Sequence, residues 1–449
     1  MHARARQPAI DIVCRAAGCA VFALATGAAL LPAQTEGPPG ASADSALHEY
    51  ERACARDHGR LWGRSLCGPL ILVDAATRQA VATDSPPGGT FIRRADVHVG
   101  RVPDAIPLAN TSFEWAGRSW AIVRLPLPPD RFDRTALLIH ESFHRIQAAL
   151  GLSGPDLLSP HLDQRDGRYW LRLELHALAE ALQREGAAAL GATRDALLFR
   201  AARTARFPGA DTLEAALEKQ EGLAEYTGEK LALAETGAGT GRVALNLEQF
   251  ERRASFVRSV GYATGPALGL LLDRYAPGWR RHAGTEPMAS VLARAVRFPP
   301  PADPEARAEA RATRYGGGKL AAEEDAREHE RAARLAGARA ALVDGPVLLL
   351  RQEQLNRVFD PNALFPLGDA GTVYPSGSFA ASWGRLEVTE AGPGALVSSD
   401  FTSLTVAAPG DPALYPLRGP GWTLQPAPGW RLAAGPRPGD LLLQPPASH

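Results

Sequence analysis

Two histidines four residues apart, His140 and His144, enclose Glu141 in the run His140-Glu141-Ser142-Phe143-His144. On an α-helix, residues at that spacing share a face, so both imidazoles would project the same way. Two imidazole nitrogens so placed can hold one Zn²⁺ at about 2.0–2.1 Å each. Glu141 is then offset from the ion, close enough to take a proton from a water that the metal acidifies. In a chain of this composition the pattern would arise by chance on the order of a few hundredths of a time. Its surroundings sharpen it, because Leu137, Leu138, Ile139, Phe143, Ile146 and Leu150 make the segment apolar. Buried His and Glu side chains need partners. The competing reading is a pair of hydrogen-bonded core histidines with Glu141 facing solvent.

A catalytic zinc takes a third protein ligand and keeps one position open. No third histidine follows at short spacing; Arg145 to Leu150 runs straight to Gly151. Two carboxylates remain as candidates: Glu174, in Leu173-Glu174-Leu175-His176, and Glu221, in Glu221-Gly222-Leu223-Ala224-Glu225-Tyr226. Glu221 is favoured, because Gly222 would let its helix come close to the His140 helix. Glu225, one turn on, shares its face and could accept a hydrogen bond from a ligand histidine's other ring nitrogen. Against this stands a plainer alternative, in which Glu214, Glu218, Glu221 and Glu225 form one solvated acidic stripe. Glu174 stays in reserve, as the ligand or as a support within the core.

The pairing of His140-Glu141-x-x-His144 with Glu221-Gly222-x-Ala224-x-Tyr226 resembles the gluzincin class of zinc peptidases, in the phrasing of its glycyl-aminopeptidase-like and related bacterial families. The resemblance runs over roughly residues 130 to 275. It implies zinc held by His140, His144 and Glu221, with Glu141 as general base and Glu225 bonded to a ligand histidine. Peptide hydrolysis also needs a donor for the tetrahedral oxyanion. Tyr262, in Gly261-Tyr262-Ala263-Thr264-Gly265, resembles the Tyr-x-x-Gly phrase of aminopeptidase-like gluzincins. A packing tyrosine at a helix entry is the plain reading of the same residue, and Tyr226 and His176 are alternative donors. No Gly-rich phosphate loop and no Gly-x-Ser-x-Gly elbow accompanies these motifs.

The elements that must position these groups are mostly helices. Asp133 can cap a helix running to Leu150, with Gly151 as its stop. Further helices are expected over 168–190, 193–206, 211–235, 245–260 and 265–275. Before them, 45–60 reads as a short helix. Short strands are expected at 69–74, 79–82, 91–92, 97–99, 113–115 and 120–123, with a turn at Ala116-Gly117-Arg118. After them, 305–342 is a charged Ala/Arg/Glu stretch broken at Tyr315-Gly316-Gly317-Gly318, which reads as a solvated connecting helix. From Gly345 the chain alternates short strands (347–350, 379–383, 385–388, 395–398, 404–407) with Gly/Pro turns. The expected fold class is α+β: an N-terminal β region (48–130), a mainly helical zincin-like catalytic region (131–298), a charged helical connector (299–344) and a C-terminal all-β module (345–449).

The chain has 449 residues, 45% of them hydrophobic and 22% charged, which suits a globular protein of several domains. Its formal net charge is zero and no long basic run occurs, so nothing recruits it to nucleic acid or anionic lipid. His2, Arg4, Arg6 and Arg15 precede an apolar stretch over 16–31, then Pro32-Ala33-Gln34, the layout of a secretory leader over 1–33 with a linker over 34–47. The rival is an uncleaved membrane anchor, although Gly18 and Gly27 interrupt a stretch already short for a span. Leader removal discards Cys14 and Cys19 and leaves Cys54 and Cys67, a pair expected to form a disulfide in an oxidising compartment. The expectation is therefore a periplasmic or secreted zinc metallopeptidase acting on a peptide or protein, with no membrane span once the leader is gone. The alternatives are a peptidase-like envelope protein without turnover, and a zinc hydrolase of a non-peptide bond.

Overall fold

The computed structural model describes residues 40–86, 88–299, 301–351, 355–360 and 363–446. The leader expected over 1–33 lies outside the described residues. The fold is mixed α+β, with a sheet first, helices in the middle and a sheet-rich C-terminal region. The chain divides into two compact units between Ala321 and Ala322.

The first unit opens with α1 (Gly40–Asp57) and six strands: β1 (Leu70–Asp74), β2 (Gln79–Ala82), β3 (Phe91–Arg94), β4 (Val97–Arg101), β5 (Thr111–Trp115) and β6 (Arg118–Leu125). They form one sheet in the order β3-β4-β2-β1-β6-β5, with β1 and β6 parallel at its centre. Side chains alternate between faces along a strand. Here that alternation separates two cores. Leu70, Leu72, Ala121 and Val123 face the helices, while Ile71, Val73, Trp120 and Ile122 join Trp115 and Phe91 on the other side. The turn between β5 and β6 has positive φ at Ala116 (48°) and Gly117 (76°), as a two-residue type I′ hairpin demands.

The helices follow: α2 (Arg131–Gln147), α3 (Arg165–Gln183), α4 (Gly186–Arg206), α5 (Ala210–Leu217), α6 (Leu223–Thr236), α7 (Gly241–Phe250), α8 (Val260–Tyr275), α9 (Met288–Ala295), α10 (Pro304–Ala312) and α11 (Gly317–Arg339). Several local expectations need correction. The helix expected over 245–260 stops at Phe250 and a new one starts at Val260, and that expected over 168–190 breaks between Gln183 and Gly186. The side chain that caps α2 is Asp130, which accepts from Asp133 N–H; Asp133 lies inside the first turn and pairs with Arg242. The helix expected over 211–235 is interrupted by a π turn, Glu218–Gly222. The stretch after residue 304 is not simply solvated: Ala308, Ala312 and Tyr315 are buried, and the Tyr315 hydroxyl donates to Asp195 of α4 at 2.9 Å.

The second unit carries a seven-stranded and a five-stranded sheet, counted among the described residues. Val347–Arg351 and Ser403–Ala407 pair antiparallel within the larger one. Leu348, Leu350, Leu404 and Val406 meet Phe379, Trp383, Leu386 and Trp422 in its core. Strands such as Thr372–Tyr374 and Leu417–Gly419 escape sequence reading, because three residues between Gly and Pro show no usable alternation.

Candidate metal centre

Helix α2 is buried almost all round. Leu138, Ile139 and Phe143 have no exposed surface, and even His140 and Glu141 are only 4% and 5% exposed. Polar side chains buried on such a helix need partners within the protein, and α2 lies between the sheet and α6. The two helices run antiparallel. Ala136 meets Gly228, His140 meets Glu225, and Gln147 meets Gln220.

That pairing brings His140, His144 and Glu221 together as a group that could hold a metal ion. The two Nε2 atoms are 3.0 Å apart, and each is 3.4 Å from Glu221 Oε2. An ion about 2.0–2.1 Å from tetrahedral ligands sets those ligands roughly 3.3 Å apart, so the triangle has the right size. The outer ring nitrogens are engaged: His140 Nδ1 with Glu225 Oε2 at 2.6 Å, and His144 Nδ1 with Gln147 Oε1 at 2.7 Å. Both partners are acceptors, so each Nδ1 carries the hydrogen and each Nε2 presents a lone pair. Two ring nitrogens and a carboxylate oxygen so arranged could share one cation.

The electrostatics agree. Burial alone would raise the Glu221 carboxyl, but His144 and His140 outweigh it and hold it well below the usual carboxylate range. Burial would lower both imidazoles, yet Glu221 and Glu225 push His140 well above its ordinary value, and Glu221 raises His144. Both rings cannot carry an Nε2 proton at 3.0 Å. One cation shared by all three atoms is what the geometry accommodates.

Glu141 has the opposite character. Burial raises its carboxyl, against the pull of His140 and His144. Its Oε2 is buried and has no hydrogen-bond partner among the described residues. Buried polar atoms without partners are rare and call for an explanation. Tyr262, in the first turn of α8, stacks on the His140 ring at 5.6 Å between centroids and donates its hydroxyl to Glu221 Oε2 at 2.6 Å.

The remaining sequence candidates lie elsewhere. Glu174 accepts from Arg200 Nε at 2.7 Å and Arg203 Nη2 at 2.6 Å, away from the histidines. Tyr226 donates to Asp273, and His176 is occupied by Glu251 and the Tyr315 carbonyl. The acidic stripe is not solvated: Glu214 and Glu218 are buried, with Arg203 and Arg200 of α4 as countercharges. Gly222 serves a different helix from the one expected. A Cβ there would lie 2.9 Å from the Gly261 carbonyl oxygen and 3.0 Å from Gly265 Cα, so it admits α8. The close approach to α2 is made by Gly228, whose Cβ would fall 2.3 Å from the Ala136 carbonyl oxygen.

A disulfide-closed segment braces the motif from behind. Cys54 and Cys67 are bonded, with Cα atoms 5.2 Å apart. Within the loop, Trp62 packs on Phe143 and donates to Thr227, touching both α2 and α6. Ser142 donates to the Leu66 carbonyl at 2.6 Å and bonds the Tyr50 hydroxyl at 2.8 Å. The two residues between Glu141 and His144 are thus anchored to α1 and the disulfide loop. Comparison with protein-family models, with curated proteins and with solved structures finds no match to the chain.

Proposed function

We propose that this protein is a zinc-dependent peptidase of gluzincin type that works outside the cytoplasm. The observation that carries the reading is the Glu141 carboxylate: a buried, unpaired oxygen beside three groups that could share one cation. Two imidazoles and a carboxylate at tetrahedral spacing are a donor set that suits zinc.

Zinc bound there would supply Lewis acidity, acidifying a water and polarising the scissile carbonyl. Glu141 takes one proton from the attacking water and returns it to the departing nitrogen, as its raised carboxyl favours. The C–N bond breaks, the water oxygen ends on the carbonyl carbon, and one water is consumed per bond. Tyr262 swings its hydroxyl from Glu221 to the oxygen on which negative charge develops. A peptide suits the surroundings. Strand β5 is an edge of the sheet and packs beside α2, and a free edge can pair with an extended chain. The Cys54–Cys67 disulfide supports an oxidising compartment.

One observation favours metal binding without turnover. The Tyr262 hydroxyl donates to Glu221 and is not turned toward an incoming carbonyl. A peptide-library assay with and without chelator decides between the readings, and ester and amide substrates extend it to other bonds. Glu141→Gln is expected to keep its zinc and lose hydrolysis. Hydrolysis retained by that variant would refute the general base.

A further inference from the structure

The segment that offers Glu221 departs from a regular helix. In the π turn Glu218–Gly222, the N–H of Leu223 reaches back five residues to the Glu218 carbonyl. Such single turns widen a helix by one residue and occur often at functional sites. Facing this turn is Gln147, three residues past His144 on α2 and 2% exposed. Its Nε2 donates to the carbonyls of Gln220 at 2.8 Å, Lys219 at 3.1 Å and Leu152 at 3.2 Å. The amide NH₂ brings two hydrogens to these three oxygens, one of them shared; a carbonyl turned toward them would be repelled. The carboxamide is planar, so its Oε1 points the other way, to His144 Nδ1 at 2.7 Å. That oxygen can only accept. It therefore fixes the hydrogen of His144 on Nδ1 and frees Nε2 to face Glu221 Oε2.

We propose that Gln147 is a positioning residue that couples the second ligand to the third. One side of its carboxamide grips the backbone of the π turn that carries Glu221, and the other sets the tautomer of His144. The inference rests on reading His140, His144 and Glu221 as metal ligands, and it assigns a task to a residue outside that set. Its neutral side chain matters. For His140 the acceptor is the Glu225 carboxylate, which could not also donate to carbonyls.

Two variants divide the functions. Gln147→Glu keeps the size and the acceptor for His144 but sets an oxygen against the three carbonyls. Gln147→Met removes both contacts. The test pairs ¹⁵N NMR of the imidazoles, in metal-free full-length protein at a pH where they are neutral, with zinc affinity measured by competition against a chromophoric chelator. Wild-type His144 is expected as the Nδ1–H tautomer. Gln147→Met is expected to lose that preference, and both variants to bind zinc about 10–100-fold more weakly. A wild-type His144 protonated on Nε2 overturns the proposal, as do folded variants that bind zinc as tightly as the parent. The wild-type spectrum decides the matter even if neither variant folds. Wild-type protein that binds no zinc while His144 shows the Nδ1–H tautomer would sink the metal reading and uphold the assignment to Gln147.

Discussion

Glu221 Oε2 accepts the Tyr262 hydroxyl at 2.6 Å and stands 3.4 Å from each histidine Nε2, so one oxygen serves three neighbours. On the proposed reading Tyr262 has two separable tasks, steadying the carboxylate and donating to an oxyanion. If it donates in the transition state, Tyr262→Phe lowers kcat by about 10²–10³ with zinc content unchanged. A variant that keeps kcat but binds zinc weakly would show that the hydroxyl only steadies Glu221. Steady-state kinetics with metal analysis on the same samples separates the two. The histidines and Glu141 were legible in the sequence because a four-residue helical spacing fixes their geometry without reference to the rest of the fold. Gln147 was not. Its role depends on carbonyls of Lys219 and Gln220, more than seventy positions along the chain, and a lone glutamine has no sequence signature.

At the scale of elements, the site depends on how closely α6 can approach α2 and α8. A Cβ on Gly228 would meet the Ala136 carbonyl oxygen at 2.3 Å, and backbone cannot yield as a flexible side chain can. Gly228→Ala is predicted to cost roughly 1–3 kcal/mol of stability by overpacking and to weaken metal binding by moving Glu225 and Glu221 off the histidines. Unchanged denaturant midpoint and zinc affinity would contradict this. The sequence showed that a glycine beside Glu221 permits close packing, but not which helix would fill the space; Gly222 admits α8. Behind the π turn, Arg200 and Arg203 hold Glu174, Glu214 and Glu218 in the core. Burial would raise the Glu214 carboxyl, but Arg203, His161 and Arg200 outweigh it and depress it far below the ordinary range. A carboxyl with a folded pKa below its unfolded value of about 4.3 stabilises fully above that value and loses its contribution as pH falls. The contribution of Glu214 to the thermal midpoint should persist down to about pH 5 and fade below about pH 4. Glu214→Gln should flatten that acid limb, and an equally steep fall in the variant would assign the limb to other groups. A solvated stripe stood as the alternative for Glu214 and Glu218 because their countercharges come from α4, outside the helix that carries them.

At the scale of the molecule, the six N-terminal strand positions, the helical middle and the sheet-rich character of the C-terminal region were readable from alternation and turn residues. The division between Ala321 and Ala322 was not, because it falls inside α11, where composition does not change. All the groups of the candidate centre, and the disulfide loop that braces it, belong to the first unit. With no matching family, the functional reading stands on that one constellation. The most direct test is X-ray absorption at the zinc edge on full-length protein loaded with zinc. The account predicts one zinc per chain, with two imidazole nitrogens and a carboxylate oxygen at about 2.0–2.1 Å, and loss of one imidazole from the shell in His144→Ala. No stoichiometric zinc, or a shell that His144→Ala leaves unchanged, would contradict it.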